Sequence, residues 1–449
     1  MLIANAELYG SNKVSDVRIE NAHITAIGNL QPRETELLID ARGNALLPGL
    51  HDHHIHLMSY AASMQSIACG PPDVGSEAEL AAALKTAGPQ RGEWVRGYGY
   101  HESVAGAIDR AWLDRHLPDV PVRIQHRSGR LWIFNTAGLA LLPDLASRDG
   151  RVYDQSRLLH AATRSELPPV AEASRKLARY GVTGLTDMTP GNDSDAASLL
   201  AQMHRDKTVL QRVWVAGTLE LDGPGPTKVH LHETAFPPLD ELQTLMSDSH
   251  DLGRSVAVHC VTEAELVFAL AAFREAGARP GDRIEHASVT PPALLEQLAE
   301  LRLTVVTQPN FIAERGDAYL AELPACEHDW LYRCRSFLQH DIPLAGGTDA
   351  PFGHADPWAA MHAATHRQTQ SGQALGRGEA LTAEEALALF LGQPETPAKP
   401  RTISTGAVAD LCLLDRTWGE ARRSLSSDQV RATLRDGELI FDGVDESPG

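Results

Sequence analysis

The sequence predicts an α/β protein built on an eight-stranded (β/α)8, or TIM, barrel, with a small β unit assembled from both chain ends. Two observations carry this. Through the middle of the chain, short β-branched or apolar runs alternate with longer helical patterns, the signature of a parallel sheet with crossover helices. At both ends, short strand-like runs are broken by turn residues, with no helical period between them.

The elements follow in order. The first fifty residues hold Leu2 to Leu8, Val17 to Ile27 broken at Asn21-Ala22, and Leu37 to Asp40 before Arg42-Gly43-Asn44. Near the other end, Ala409 to Asp415 and Val430 to Phe441, split at Asp436-Gly437, have the same texture. One sheet built from both ends is the economical arrangement. Between them, eight runs qualify as barrel strands: Leu50 to Leu57, Val182 to Met188, Gln211 to Thr218, Thr227 to Leu231, Ser255 to Val261, Arg283 to Ser288, Leu303 to Pro309 and Ile342 to Thr348. The expected domains are therefore 1–49 with 400–449 for the terminal unit and 50–399 for the barrel. Such a barrel needs about 250 residues. The excess falls in 59–175, an insertion after the first strand. Its strand-like pieces, Trp94 to Tyr100 and Val122 to Phe134, predict a folded region. A cap over the barrel mouth is the first expectation for it, and an oligomer contact is the alternative.

Composition narrows the function. Of 449 residues, 40 are Lys or Arg and 59 Asp or Glu, a net charge of −19 that argues against nucleic acid or an anionic membrane as partner. No window approaches the roughly 18 uninterrupted apolar residues of a membrane span. Met1 to Val14 lacks a basic start followed by an apolar stretch. A cytoplasmic enzyme acting on a small molecule is the expectation. Five scattered cysteines, none in a C-x-x-C pair, suggest neither a disulfide framework nor a cysteine metal site. The 20 histidines stand out, because imidazole is the commonest metal-binding side chain.

Their placement carries the argument. His51-Asp52-His53-His54-Ile55-His56 ends the first strand, and strand alternation points His54 and His56 the same way, as two ligands of one cation require. Val256-Ala257-Val258-His259, Arg283-Ile284-Glu285-His286 and Leu344 to Asp349 each end a later strand in a histidine or a carboxylate. Singly, His259 and His286 suit hydrogen-bonded core positions, and Asp349 suits a helix cap. Jointly they lie at C-terminal strand ends, which converge on one mouth in an α/β barrel. Four imidazoles and a carboxylate suit zinc or a similar divalent ion rather than magnesium or calcium.

These segments, with Pro48-Gly49, Gly347-Thr348-Asp349-Ala350-Pro351 and Gly406 to Asp415, resemble the amidohydrolase superfamily over nearly the whole chain. Within the insertion, Gly97 to Glu102 and His126 to Arg130 are similar to the amidohydrolase-3 branch, which includes YtcJ-like proteins and N-substituted formamide deformylases. The resemblance implies a (β/α)8 barrel with a small β-sandwich from both termini, one or two divalent ions per chain, and a homodimer or higher homo-oligomer. It assigns His54 and His56 to the more buried ion and His259 and His286 to the more exposed one. It makes Asp349 both ligand and catalytic proton shuttle. Lys228 matches the carboxylated lysine that bridges two ions. However, His230-Leu231-His232-Glu233 follows it where the family pattern has a glycine-containing run. His230 or His232 as substitute ligands, or a single-ion site, stay open.

The chemistry follows from the ions. Zinc lowers the pKa of bound water to about 7, so a metal-bound hydroxide attacks while the ion polarises the carbonyl. Asp349 would move the proton to the leaving nitrogen. Hydrolysis of a non-peptide C–N bond, in an amide, formamide, lactam or N-acyl compound, is the expected reaction. Deamination, ester hydrolysis, decarboxylation or hydration at the same site is the alternative, and a scaffold that lost catalysis is a third. Substrate contacts are expected from Gln308 and Asn310 after the seventh strand, and from Tyr100, His101, His126, Arg127 and Arg130 in the insertion. Cys260, next to His259, is expected on the opposite face and outside the chemistry.

Overall fold

Eight parallel strands carry the candidate site: β1 (Leu50–Ile55), β2 (Val182–Asp187), β3 (Arg212–Val215), β4 (Thr227–His230), β5 (Val256–Cys260), β6 (Arg283–His286), β7 (Thr304–Thr307) and β8 (Leu344–Gly346). Each lies inside one of the eight predicted runs. The structure is a computed structural model and describes residues 1–11, 13–71, 73–87, 94–143, 145, 147–153 and 167–443. The chain divides into two compact units, one of Met1–His56 with Ser174–Gly449 and one of Leu57–Ala173.

In the first unit the strands pair in the orders β1-β2-β3 and β4-β5-β6-β7-β8, all parallel. Short contacts join the two groups at both edges. Lys228 N–H donates to Gly217 O at 2.7 Å, and Gly217 N–H to Pro226 O at 3.1 Å. Asp349 N–H donates to His54 O at 2.7 Å, and His56 N–H to Ala350 O at 2.9 Å. This is a TIM-barrel-like α/β arrangement.

The crossover helices form for local reasons. Glu263–Ala276 opens with a capping box in which Thr262 Oγ1 accepts from Glu265 N–H while the Glu265 carboxylate accepts from Thr262 N–H. It buries Leu266, Ala269, Leu270 and Phe273, the i, i+3, i+4, i+7 stripe of a helix facing a sheet. It ends at Gly277, where φ of 79° suits a residue without Cβ. β5 and β7 bury apolar residues on both faces, as buried parallel strands do.

Both chain ends build one hydrogen-bonded eight-stranded sheet. Its seam is Ala45–Pro48, which pairs parallel with Leu2–Leu8 and antiparallel with Leu411–Leu414. Ile3, Val17, Ile24, Leu46, Leu411, Leu413 and Leu434 share its core. The two breaks expected in the strands are tight turns with positive φ at both central residues, 49° and 67° at Asn21-Ala22 and 51° and 73° at Asp436-Gly437. That geometry matches the twist of flanking antiparallel strands. The sheet is tied to the barrel helices by Thr433 Oγ1–H donating to Ala178 O at 2.7 Å.

The second unit has its own five-stranded sheet, in the order Arg151–Tyr153, Leu131–Phe134, Val122–His126, Val95–Tyr100, Ile67–Ala68. Val95, Ile124, Leu131, Ile133, Trp112 and Leu113 form its core. The predicted piece Val122 to Phe134 is a hairpin that turns at 127–130. No helix among the described residues is long and apolar enough to cross a membrane.

Where the barrel edges meet, Gly347 permits the approach: a Cβ there would lie 2.4 Å from His54 Cβ and 2.6 Å from its backbone nitrogen. Gly347→Ala is therefore expected to force β1 away from the end of β8. The loss should be about 1–3 kcal/mol, as overpacking typically costs, and would register as a lower urea midpoint.

Candidate metal centre

The sequence places histidines or an acid at the ends of β1, β5, β6 and β8, but it is the strand geometry that brings them together. Pairing of β1 with β2 steps from Asp52↔Leu185 to Ile55↔Asp187, three residues against two. The extra residue is a bulge, which re-aims side chains at a strand end. Within and just after it, His54 and His56 bring their rings to 5.4 Å between centroids. At the ends of β6 and β8, His286 has φ of 68°, Ala287 47° and Asp349 57°. Left-handed backbone at residues other than glycine costs on the order of 1–3 kcal/mol each and persists where the surroundings impose it.

Three ligand atoms, one each from His54, His56 and Asp349, lie within 4.8 Å of one another. Each imidazole is held by its other nitrogen. His54 Nδ1 is 2.5 Å from Glu285 Oε2, leaving Nε2 at 3.5 Å from Asp349 Oδ1. His56 Nδ1 is 3.1 Å from Thr189 Oγ1, leaving Nε2 at 3.3 Å from the same oxygen. His286 Nδ1 is 2.7 Å from Gln308 Oε1. A carboxylate, hydroxyl or amide on Nδ1 fixes the ring and directs Nε2 outward, as at metal-binding histidines.

His286 continues the cluster, 4.7 Å from His54 and 4.5 Å from His259 between ring centroids. His259 in turn lies 4.2 Å from His230, and His230 4.3 Å from His232. Lys228 is buried, and its Nζ has no hydrogen-bond partner among the described residues.

Electrostatics keep these groups ready to ligate. Burial, reinforced by the Lys228 charge, pushes His54 down to about 3, and burial with the neighbouring His232 and Lys228 pushes His230 down to about 2. His54 and His230 are therefore neutral, the form that binds metal. Burial alone would raise Glu285, yet Arg283, His54 and Lys228 hold it well below the ordinary carboxylate range. Arg283 grips Glu285 through Nε and Nη2, and its Nη2 also donates to His53 O at 2.7 Å. Burial likewise opposes ionisation of Asp349, and the close contact with the His56 ring overcomes it, holding the carboxyl below its ordinary range. Lys228 is pushed down to about 8 by burial, against the pull of Glu285 and Asp349.

The site thus joins His54, His56 and Asp349 directly and sets His286, His259 and Lys228 beside them. Nitrogen and carboxylate donors that are neutral or anionic and face one point, with an orphaned amine nearby, fit a divalent ion of the zinc type. Two expected substrate contacts take different roles. Gln308 is fully buried, and its amide oxygen is committed to His286 rather than to the mouth. Asn310, also buried, donates through Nδ2 to Thr348 O and Glu314 Oε1, both at 3.1 Å, and so braces the loop that carries Asp349.

In the other unit, Tyr100 is buried and its hydroxyl donates to Gly106 O. His126 Nε2 is 2.9 Å from Glu102 Oε2, and Arg130 is half-buried on the hairpin turn. His101 Nδ1 is 2.8 Å from Ser103 Oγ, and Arg127 donates its backbone N–H to Tyr100 O at 2.8 Å. Cys260 is buried with its thiol pushed well up by burial, so no thiolate is available.

Sequence reading missed Glu285, Arg283, Asp52 and Thr189. Asp52 Oδ1 accepts from His54 N–H at 3.1 Å and Thr348 N–H at 3.0 Å, while Oδ2 accepts from the Thr348 hydroxyl at 2.5 Å. A signal for Glu285 was present: opposite charges two residues apart in the otherwise buried strand Arg283-Ile284-Glu285-His286 share one face.

A parallel strand set with a histidine–carboxylate cluster at the C-terminal strand ends defines a metal-dependent hydrolase type of site. The chain belongs to the amidohydrolase family, whose pattern matches residues 37–441, and to its amidohydrolase-3 branch as the motifs implied. It is 24% identical to the N-substituted formamide deformylase of Arthrobacter pascens over 98% of this chain and 95% of that one. It is 26% identical to the amidohydrolase YtcJ of Bacillus subtilis (strain 168) over 49% of this chain and 43% of that one. Among solved structures it is similar in fold to an uncharacterized metal-dependent hydrolase from Pyrococcus horikoshii OT3, with a TM-score of 0.74 at 21% identity, covering 92% of this chain and 97% of that one.

Glu285→Gln keeps the size of the side chain but removes the charge that holds His54. Metal affinity, read by competition with a chromophoric chelator, is expected to fall about 10- to 100-fold.

Proposed function

We propose that this protein is a metal-dependent hydrolase that cleaves a non-peptide C–N bond, in an amide, formamide, lactam or N-acyl compound. One observation carries the reading: His54 and His56 are clamped at Nδ1 and turn Nε2 towards the ionised Asp349. The likeness to a formamide deformylase along almost the whole chain supports the C–N class. In this reading the eight parallel strands close as one barrel at 50–399, with 59–175 inserted, and the sheet of 1–49 and 400–449 folds over its core as a small sandwich.

His54, His56 and Asp349 would hold one zinc-like ion. His259 and His286 would hold a second, with Lys228 as its carboxylated bridge. A bound divalent ion supplies Lewis acidity towards the substrate carbonyl and makes water acidic near neutral pH. The residues do the rest. Asp349, kept ionised, accepts the proton of the attacking water and delivers it to the departing nitrogen. Glu285 and Gln308 hold His54 and His286 in place while charge develops. Lys228, buried without a hydrogen-bond partner among the described residues and with its pKa pushed down to about 8, is partly neutral near that pH, as an amine must be to take up carbon dioxide. Groups of the inserted unit, Tyr100, His126 and Arg130 among them, are proposed as substrate contacts on sequence grounds.

Asp349→Asn retains shape but cannot take the proton. The kcat for a reactive formamide should drop by about 10²–10⁴, the usual worth of acid–base catalysis, and an unchanged kcat would overturn the assignment. Native mass spectrometry of untagged protein is expected to show two zinc-like ions and one acid-labile carbon dioxide. Lys228→Ala should abolish the adduct, and added short-chain carboxylic acids should restore metal uptake.

A further inference from the structure

The helix Asn310–Glu322 begins directly after β7 and carries a guanidinium that the chemistry above does not use. Arg315 lies over the face of Phe311, with Cζ 3.9 Å from the ring centroid, and its Nη2 donates to Phe352 O at 2.6 Å. It is half-buried. Among the described residues no carboxylate lies within ion-pair distance of it.

The acids near it are otherwise committed. Glu314 accepts from Asn310 Nδ2 at 3.1 Å and His354 N–H at 3.0 Å, and Asp317 accepts from the Ser371 hydroxyl and N–H at 2.5 and 3.0 Å. The other groups acting on Arg315 are the phenols of Tyr319 and Tyr332 and the carboxylate of Asp349. A cation taken partly out of water is usually compensated by a partner, and a guanidinium carries five N–H donors, of which one is used here among the described residues.

Its position gives that cation a use. Phe352, which accepts its hydrogen bond, sets its ring edge-on to His56 at 5.5 Å, and Phe352 N–H donates to Asp349 O at 2.8 Å. Arg315 is thus separated from the His56–Asp349 pair by one short turn of chain, 349–352, within the same unit. Stacking on Phe311 immobilises the fork, so little entropy is lost when an oxyanion docks on it.

We infer that Arg315 is a binding subsite for a carboxylate on the substrate, and that the preferred substrates are N-formyl or N-acyl compounds carrying such a group, as N-acylated amino acids do. This rests on the C–N hydrolase reading of the neighbouring site. Carboxylate is the better match than a lone neutral polar group, because the planar fork pairs with two oxygens at once.

The test compares N-formylphenylalanine with N-formylphenethylamine, which differ only in the carboxylate, on the holoenzyme and on Arg315→Gln and Arg315→Lys. The wild-type protein should favour the acid. In R315Q the ratio of the two kcat/KM values should fall on the order of 10- to 100-fold, mainly through KM of the acid, with R315K between, because it keeps the charge and loses the fork. Equal losses on both substrates, or an unchanged ratio, would overturn the inference. Calorimetric binding of 3-phenylpropanoate against 3-phenylpropanamide gives a second readout that does not need turnover. If the wild-type protein hydrolyses neither formamide, the hydrolase reading falls, while a Kd for the acid that R315Q leaves unaltered removes Arg315 from recognition on its own. Thermal melts of the variants separate loss of fold from loss of binding, with R315K the milder substitution.

Discussion

Glu285 is an ionised carboxylate with no exposure to water, and a carboxylate in that position is tolerable only when its charge is met on more than one side. Arg283, two residues earlier on the same strand face, meets it from below, and His54 meets it from β1. Removing either partner leaves a buried charge uncompensated. The arrangement therefore couples β6 to β1, strands separated in sequence by more than two hundred residues, and it sets which nitrogen of His54 is free. Asp349 and His56 then find their places relative to that nitrogen.

A second buried carboxylate closes the same ring from the other edge. Asp52 accepts two backbone N–H groups and one hydroxyl, from β1 itself and from Thr348 beyond β8. Burial nevertheless pushes its pKa up to about 7, so the cost of desolvation outweighs three favourable bonds. Gly347 and the hydrogen bond from Asp349 N–H to His54 O bring the two strand ends within contact of each other. The ligand cluster is consequently a property of strand closure rather than of a flexible loop, and the left-handed φ values at His286 and Asp349 show where the backbone bears the strain.

The site combines titratable groups that are costly to bury. Lys228 Nζ lacks a hydrogen-bond partner among the described residues, His54 is held neutral, and Asp349 is kept ionised by its neighbours. A structural core would resolve such costs by pairing or by apolar substitution. Their persistence at converging strand ends is what ties the geometry to metal chemistry, and Arg315 extends the same pattern outward along the helix after β7.

Much of this protein was legible in order along the chain. The eight β-branched runs, the turn signals Asn21-Ala22 and Asp436-Gly437, and the residues His54, His56, His259, His286 and Asp349 are local features, because strand period, turn conformation and residue type are set within a few neighbours. The partners were not legible. Glu285, Asp52 and Thr189 earn their roles from atoms on other strands. Gln308 and Asn310 read as substrate amides because they follow a strand, whereas packing turned them inward to brace His286 and the Asp349 loop. Alternation predicts that His54 and His56 share a face, but the bulge in β1 that re-aims them depends on its pairing with β2. Residue type and place along the chain set which residues could bind an ion and on which elements they ride. Which nitrogen faces the centre, which carboxylates are ionised and which cation has no ion-pair partner among the described residues follow from the folded arrangement, since burial and long-range contacts, not local sequence, set those energies.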